Sequence, residues 1–249
     1  GAVGGGFRDG MLIMHAPGGA RLLHLNDSSG VWTAGFGRDG KSVFWGGSDG
    51  KLKVSDSKTG TLLKSFSLTE TGPVNSLSVS TDGRYLACAT GWKIRVYDLE
   101  TFKPIREMIT RSDYVWSLAL TNDGQYMATA SGHIYGGQAI KLWDIKQGKI
   151  VRSFKGHKSW ILSLAIGNDN RFIGSGSNDA SLAYWEMPGV KSVNTFRPSA
   201  GSINAGNEKV NGVAFHPESK YLAGATADGT ILYMRAGRST YQKMESPSK

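Results

Sequence analysis

The sequence predicts an all-β fold in which one four-stranded antiparallel unit recurs along the chain. Three observations favour this fold. The 249 residues include 34 glycines and 10% aromatic residues, a composition typical of short strands joined by tight turns. No segment shows the helical period of about 3.6 residues, and one turn pattern returns at a nearly constant spacing.

The recurring turn sets the length of the unit. It is an Asp-Gly pair or a similar polar pair, and successive copies lie 43, 41, 46 and 49 residues apart: Asp39-Gly40, Asp82-Gly83, Asp123-Gly124, Asp169-Asn170 and Glu218-Ser219. A repeat period between about 20 and 50 residues indicates a repeat architecture. Because one such unit cannot bury both of its faces, we expect neighbouring units to stack.

Each unit contains four strands in the same order. The first is the apolar run before the turn, as in VNSLSV, and the second follows the turn, as in YLACAT. The third ends at a position held by Ser55, Tyr97, Trp143, Trp185 or Met234. The fourth reads LLKSF, PIREM, IVRSF, VNTF or YQKM. These strands predict complete units at 30–72, 73–113, 114–158, 159–208 and 209–249, after a partial unit at 1–29.

Two segments, AIKLWDIKQGKIVRSFKGHKSWILSLAI and FIGSGSNDASLAYWEM, carry a resemblance to the WD-repeat family. Members of that family fold as β-propellers with four-stranded blades. The resemblance implies one propeller domain over 1–249, with five complete blades. It also implies structural roles for Trp143 and for a hydrogen-bonded set in one blade: His157, Ser175 or Ser177, Asp179 and Trp185.

The first residues match the inside of a blade. Asp9 precedes His15 by six residues, as Asp49 precedes Ser55 and Asp179 precedes Trp185. We therefore expect the chain to begin within a blade and to be an N-terminally truncated part of a larger, seven-bladed ring.

Catalytic chemistry is not indicated. Residues 46–50 fit the G-x-S-x-G pattern, but a nucleophile elbow requires a helix after the turn, whereas KLKVSDS reads as another strand. The five histidines show no metal-ligand spacing, and Cys88 is the single cysteine. The sequence therefore predicts a protein without catalytic residues, metal or cofactor.

Aromatic and amide side chains stand at the beginning of the first strands. In the WD-repeat family this end of the strand opens onto the top face of the ring, so the resemblance implies that these residues bind other proteins. The predicted partners are peptide segments or a helical scaffold such as a tetratricopeptide protein. The alternative is that some of these side chains pack between blades. The residues are Trp32, Asn75, Tyr114, Trp116, Trp160, Leu162 and Asn211.

A second hypothesis rests on the net charge of +9. The densest basic group would bind nucleic acid or a ribosome if its side chains converged, and would otherwise form a solvated outer face. It comprises Lys141, Lys146, Lys149, Arg152, Lys155 and Lys158.

A narrower resemblance comes from the placement of connecting segments. ATGWKIRVYDLETFKPI and RPSAGSINAGNEKVNGVAF are similar to segments of the WD-repeat subunit of the superkiller complex. That family bridges a helicase and a tetratricopeptide scaffold in cytoplasmic RNA decay, and its relatives join nuclear transcription or meiotic recombination assemblies. The resemblance implies a cytoplasmic or nuclear scaffold protein.

Overall fold

The computed structural model describes residues 11–14, 21–25, 30–68, 72–110, 114–133, 136–187, 201–204, 208–235 and 241–244. The regular structure in these ranges is β-strand. The strands are β1 Met11–Met14, β2 Arg21–Leu25, β3 Thr33–Phe36, β4 Ser42–Gly46, β5 Lys51–Asp56, β6 Leu62–Ser67, β7 Ser76–Val79, β8 Tyr85–Thr90, β9 Lys93–Asp98, β10 Pro104–Ile109, β11 Val115–Leu120, β12 Tyr126–His133, β13 Gly136–Asp144, β14 Lys149–Lys155, β15 Ile161–Ile166, β16 Phe172–Ser177, β17 Ser181–Glu186, β18 Gly201–Asn204, β19 Val210–Phe215, β20 Tyr221–Thr226, β21 Ile231–Arg235 and β22 Tyr241–Met244. No helix in the described ranges is long and apolar enough to cross a membrane.

The strands form four-stranded antiparallel sheets in which sequence order and spatial order coincide. These sheets are β3–β6, β7–β10, β11–β14, β15–β18 and β19–β22, and β1 pairs with β2. The predicted all-β class with propeller-like four-stranded blades is thereby confirmed. That the sheets belong to one domain over 1–249 stays a prediction.

One predicted strand is replaced by another segment. The fourth strand of the sheet that begins with β15 is Gly201–Asn204, which pairs with β17, and not VNTF at 193–196, which lies outside the described residues. Which segment pairs in a sheet depends on the partner strand as well as on the local residue pattern. Local pattern alone therefore did not identify Gly201–Asn204 as the fourth strand.

The chain divides into two compact units, Gly1–Val115 and Trp116–Lys249. In the first unit, a core cluster around Phe44, Leu77 and Leu86 joins the sheets β3–β6 and β7–β10. In the second, Leu182 and Leu222 belong to a cluster between the sheets that start with β15 and β19. A Cβ atom on Gly174 would overlap a methyl carbon of Leu222, so a larger residue where these two sheets approach would require the buried Leu222 side chain to shift.

Hydroxyl groups on the first strands link neighbouring sheets. The amide of Leu77 donates to Thr33 Oγ1 at 2.9 Å in the first unit. In the second unit, the Leu164 amide donates to Ser117 Oγ at 2.9 Å and the Val213 amide donates to Ser163 Oγ at 3.1 Å. In each case the acceptor lies at the same position of a first strand. The donor is an amide on the first strand of the following sheet, which has no partner within that sheet.

A tryptophan indole donates to a hydroxyl between the second and third strands of three sheets. Trp143 Nε1 donates to Thr129 Oγ1 at 2.9 Å, and Trp185 Nε1 donates to Ser175 Oγ at 2.8 Å. In the sheet β3–β6 the two residues have exchanged strands: Trp45 lies on β4 and donates to Ser55 on β5 at 3.1 Å. Ser55 thus stands at the position of Trp185 and keeps the hydrogen bond.

Candidate functional site

The predicted partner-binding residues lie at one edge of each sheet, which we call the leading edge. It comprises the beginning of the first strand and the turn between the second and third strands. These two parts are neighbours because consecutive strands are antiparallel.

Trp116 and Trp160 form a stacked pair at the leading edge in the second unit. Their ring centroids are 5.9 Å apart and their planes are inclined by 17°. Trp116 is the second residue of β11, and Trp160 directly precedes β15. The Trp160 carbonyl accepts a hydrogen bond of 2.8 Å from the Asn178 amide. The side chains remain 38% and 39% exposed, so the pair presents an apolar surface on an ordered backbone.

Leu162 and Asn211 occupy corresponding positions in the next two sheets. Leu162 is half-buried, whereas Asn211 is exposed. Both follow a buried β-branched residue, Ile161 or Val210, at the start of their strand.

The predicted residues of the first unit differ in accessibility. Trp32 is 49% exposed. Asn75 is buried, because its Nδ2 donates to the Val115 carbonyl at 3.2 Å and its Oδ1 accepts from the Tyr114 hydroxyl at 3.4 Å. The expectation that the Asn75 amide is available to a partner is corrected accordingly. Tyr114 is half-buried.

Sequence reasoning missed Trp92, which is the most exposed tryptophan among the described residues whose burial is known, at 57%. It lies in a two-residue turn between Thr90 and Lys93, which are paired residues of β8 and β9. Gly91 has φ of 65°, and Trp92 is not among the residues with positive φ, as in a type II′ hairpin turn. A large apolar residue after Gly in a hairpin turn was the signal that could have identified it.

The hydrogen-bonded set around His157 is assembled in the sheet β15–β18. His157 Nδ1 lies 3.2 Å from Asp179 Oδ2, and Nε2 lies 2.7 Å from Ser175 Oγ, which also accepts the Trp185 indole N–H. A neutral imidazole satisfies both contacts by donating to Asp179 and accepting from Ser175. These groups are internal to the sheet, so the geometry is that of a structural network.

The pKa values in this network follow from burial and hydrogen bonding. Burial lowers the pKa of His157 and outweighs the attraction of Asp179, which acts to raise it. Burial alone would raise the pKa of Asp179, but hydrogen bonds from Ser181 and from the Lys158 amide outweigh it, and that pKa is lowered. His157 is therefore held neutral next to an ionised carboxylate.

The G-x-S-x-G match has a simpler structure than a nucleophile elbow. Residues 47–50 form the turn between strands β4 and β5, and the Asp49 carboxylate accepts from the Lys51 amide at 3.1 Å. Cys88 is buried, and burial raises the pKa of its thiol to about 12. Within the described ranges, no group of three His, Cys, Asp or Glu side chains is arranged to hold a metal ion.

The basic residues of the second hypothesis are spread over β13, β14, the turn between them and the connection from β14 to β15. Lys146, Lys149, Lys155 and Lys158 are exposed, and Arg152 and Lys141 are half-buried. The Arg152 guanidinium lies 5.7 Å from the centre of the Phe154 ring. Trp143 is buried, so it offers no surface on which a base could stack.

Comparison with known families is consistent with this arrangement. The sequence pattern of the family described as "WD domain, G-beta repeat" matches residues 60–98, 102–144, 148–186 and 193–233. Each matched range covers the fourth strand of one sheet and most or all of the first three strands of the next. No curated protein matches the chain significantly. The matched ranges make up more than half of the sequence, and the chain therefore belongs to the WD40 repeat family.

Proposed function

We propose that this chain is a non-catalytic scaffold that binds a partner protein at the leading edge of its second unit, through Trp116 and Trp160. WD40 repeat proteins are in general interaction scaffolds without catalytic activity. The observation that carries the proposal is the stacking of two large aromatic side chains that are both more than a third exposed.

The pair has the properties of an interface anchor. Tryptophan supplies a large contact area at low cost in side-chain entropy, and a few such residues provide most of the binding energy of many interfaces. Trp116 lies within β11, and the backbone of Trp160, directly before β15, accepts a hydrogen bond from the Asn178 amide, so both backbones are held in place. Leu162 and Asn211 are proposed to extend the contact, the first with apolar area and the second with a hydrogen-bonding amide.

The class of partner follows from the narrower resemblance. Similarity to the WD-repeat subunit of the superkiller complex favours a tetratricopeptide scaffold or a peptide segment of such a protein. That resemblance also favours an RNA-decay or transcription-associated assembly, in the cytoplasm or the nucleus. These finer statements belong to the proposal and are tested with it.

The test is affinity capture with the unchanged chain and the Trp116→Ala, Trp160→Ala double variant, each with and without nuclease treatment. We expect the double variant to lose partner proteins that the unchanged chain retains, with each substitution costing about 2 kcal/mol of binding free energy. Ile150→Ala is the matched control, since it removes an exposed apolar side chain from β14, which is not part of the predicted site. Thermal unfolding of each variant verifies that the fold is kept.

Two outcomes would contradict the proposal. If the folded double variant retains every partner, Trp116 and Trp160 serve packing alone. If capture by the unchanged chain disappears with nuclease, the basic residues at 141–158 contact nucleic acid directly and the second hypothesis replaces the first.

A further inference from the structure

A groove in the first unit is lined by residues of both of its complete sheets. Its volume is about 760 Å³, within the usual range for binding sites. Trp92 and Tyr114 provide its aromatic surface. The other lining residues are Ser67, Leu68, Gly72, Pro73, Thr90, Gly91, Lys93 and Arg95.

The groove coincides with a shortened turn. Five residues lie between the paired positions Gly176 and Leu182 in the sheet β15–β18, but four lie between the corresponding Ala89 and Ile94. The longer turn contains a carboxylate, Asp179, which the turn of Gly91 and Trp92 lacks. The shorter turn thus replaces an anionic side chain at the leading edge with an exposed indole.

Among the described residues beside the groove, the charge balance is positive. Lys93 Nζ lies 3.7 Å and Arg95 Nε lies 2.8 Å from the carboxylate of Glu107, so two cations share one anion. Arg95 Nη1 also donates to the Leu68 carbonyl, which fixes the guanidinium. The Lys93 side chain is 38% exposed, and it can reach a second carboxylate by rotation of its flexible stem.

We propose that this groove binds an extended acidic segment of a partner protein. An apolar side chain of the segment lies against Trp92 and Pro73, and an adjacent carboxylate pairs with Lys93. Charge complementarity selects this occupant, because the lining combines apolar surface with a net positive charge. Nucleic acid fits less well, since two cations that share Glu107 leave little charge for a phosphate backbone. Neither Trp116 nor Trp160 lines the groove, and this proposal does not depend on the function proposed for them.

The experiment selects peptides from a random displayed library on the immobilised full chain. We expect recovered sequences to be enriched in Asp or Glu next to Leu, Phe or Pro. Fluorescence anisotropy with a labelled recovered peptide then measures affinity. We expect Trp92→Ala to weaken binding about tenfold, and Lys93→Glu to weaken it about fivefold and to shift the recovered sequences towards Lys and Arg.

Matched variants distinguish this site from general charge and from the tryptophan pair. Lys155→Glu makes the same charge change on an exposed lysine of β14, and the Trp116→Ala, Trp160→Ala variant removes the other aromatic surface. Both should bind the peptide as the unchanged chain does. The inference is overturned if the library yields neutral or basic peptides or none, or if Trp92→Ala has no effect. It is also overturned if Trp92-dependent binding is to labelled single-stranded DNA or to a second copy of the chain.

Discussion

Trp45 and Ser55 show that a hydrogen bond can persist when its two residues change places. Ser55 reads as a lost tryptophan in the sequence, yet its hydroxyl accepts the indole N–H of Trp45. Lys53 completes the arrangement: its ammonium lies 2.7 Å from Asp49 and 4.6 Å from the centre of the Trp45 ring. A buried lysine thus contacts the turn carboxylate in this sheet, whereas a neutral histidine, His157, contacts Asp179 in another sheet.

The exchange predicts a strong coupling between the two positions. Trp45→Ser should destabilise the chain by about 3 kcal/mol because it empties a large buried volume. Ser55→Trp should be destabilising as well through overpacking. The double variant restores the arrangement of Trp185 and Ser175, and we expect it to be more stable than the sum of the single effects by at least about 1 kcal/mol. Urea unfolding measures this coupling, and strict additivity would contradict it.

His157 predicts a dependence of stability on pH. Its folded pKa lies below the usual 6.5, so the unfolded chain takes up the proton first as the pH falls. Stability should therefore decrease as the pH drops below about 6.5, with a slope of at most about 1.4 kcal/mol per pH unit, until the folded pKa is reached. The contribution of Asp179, whose pKa is also lowered, is lost only in a more acidic range.

The measurement compares urea unfolding of the unchanged chain and of His157→Asn between pH 7.5 and 5. The variant lacks the titrating group and should be less stable at neutral pH but less sensitive to acid in this range. Equal pH slopes for the two chains would show that His157 does not control the effect.

At the scale of strands and turns, the first strands are joined by hydroxyl acceptors as well as by apolar packing. Thr33, Ser117 and Ser163 occupy one repeated position, and each accepts an amide from the next first strand. Gly212 holds this position in β19 and has no hydroxyl to offer. The recurring Ser or Thr in VWTAGF, VWSLAL and ILSLAI therefore has a specific partner.

Removing one hydroxyl acceptor should destabilise the contact between one pair of first strands only. Ser117→Ala leaves the buried Leu164 amide without its acceptor, and we expect a loss of about 1 to 3 kcal/mol. Hydrogen exchange of the Leu164 amide should accelerate, while the Val213 amide, which uses Ser163, stays protected. Ser153→Ala on the exposed face of β14 is the control. Unchanged exchange at Leu164 would show that this hydrogen bond contributes nothing.

The local residue pattern was sufficient to predict most strands. It was insufficient where strand pairing selects the segment or where tertiary contacts decide whether a side chain is exposed. The Asp-Gly turns and period-2 alternation predict the strand order because both signals act within a few residues. The fourth strand after β17 was missed because Gly201–Asn204 is selected by its partner. Trp32 and Asn75 hold the same strand position, but tertiary contacts with Tyr114 and Val115 bury only Asn75.

At the scale of the whole molecule, the matched family repeats and the sheets are staggered by one strand. The range 60–98 contains β6, which completes one sheet, and β7 to β9, which begin the next. Each repeat therefore connects two sheets covalently. Within each unit, the contacts between sheets fall on consecutive neighbours, such as β3 with β7 and β15 with β19, so stability should be transmitted locally.

A core substitution tests this locality. Leu222 is fully buried in the second unit, and Leu222→Ala should cost about 2 to 5 kcal/mol. Hydrogen exchange followed by mass spectrometry should show faster exchange in β16, β17 and β19 to β21, with β3 to β9 of the first unit unchanged. A uniform loss of protection over both units would indicate global cooperativity instead.

The exchanged pair of Trp45 and Ser55 also bears on how such sheets diverge. A single-substitution route between the two arrangements passes through a sheet with two indoles or with two hydroxyls at these positions. Two indoles overpack the sheet and two hydroxyls leave a cavity, so either intermediate is less stable unless neighbouring residues change first. Lys53, at the position of Ala183, fills space beside Trp45 and is a candidate for that enabling change. A repeat can thus lose its signature residues in alignment while its sheet retains the same internal bond.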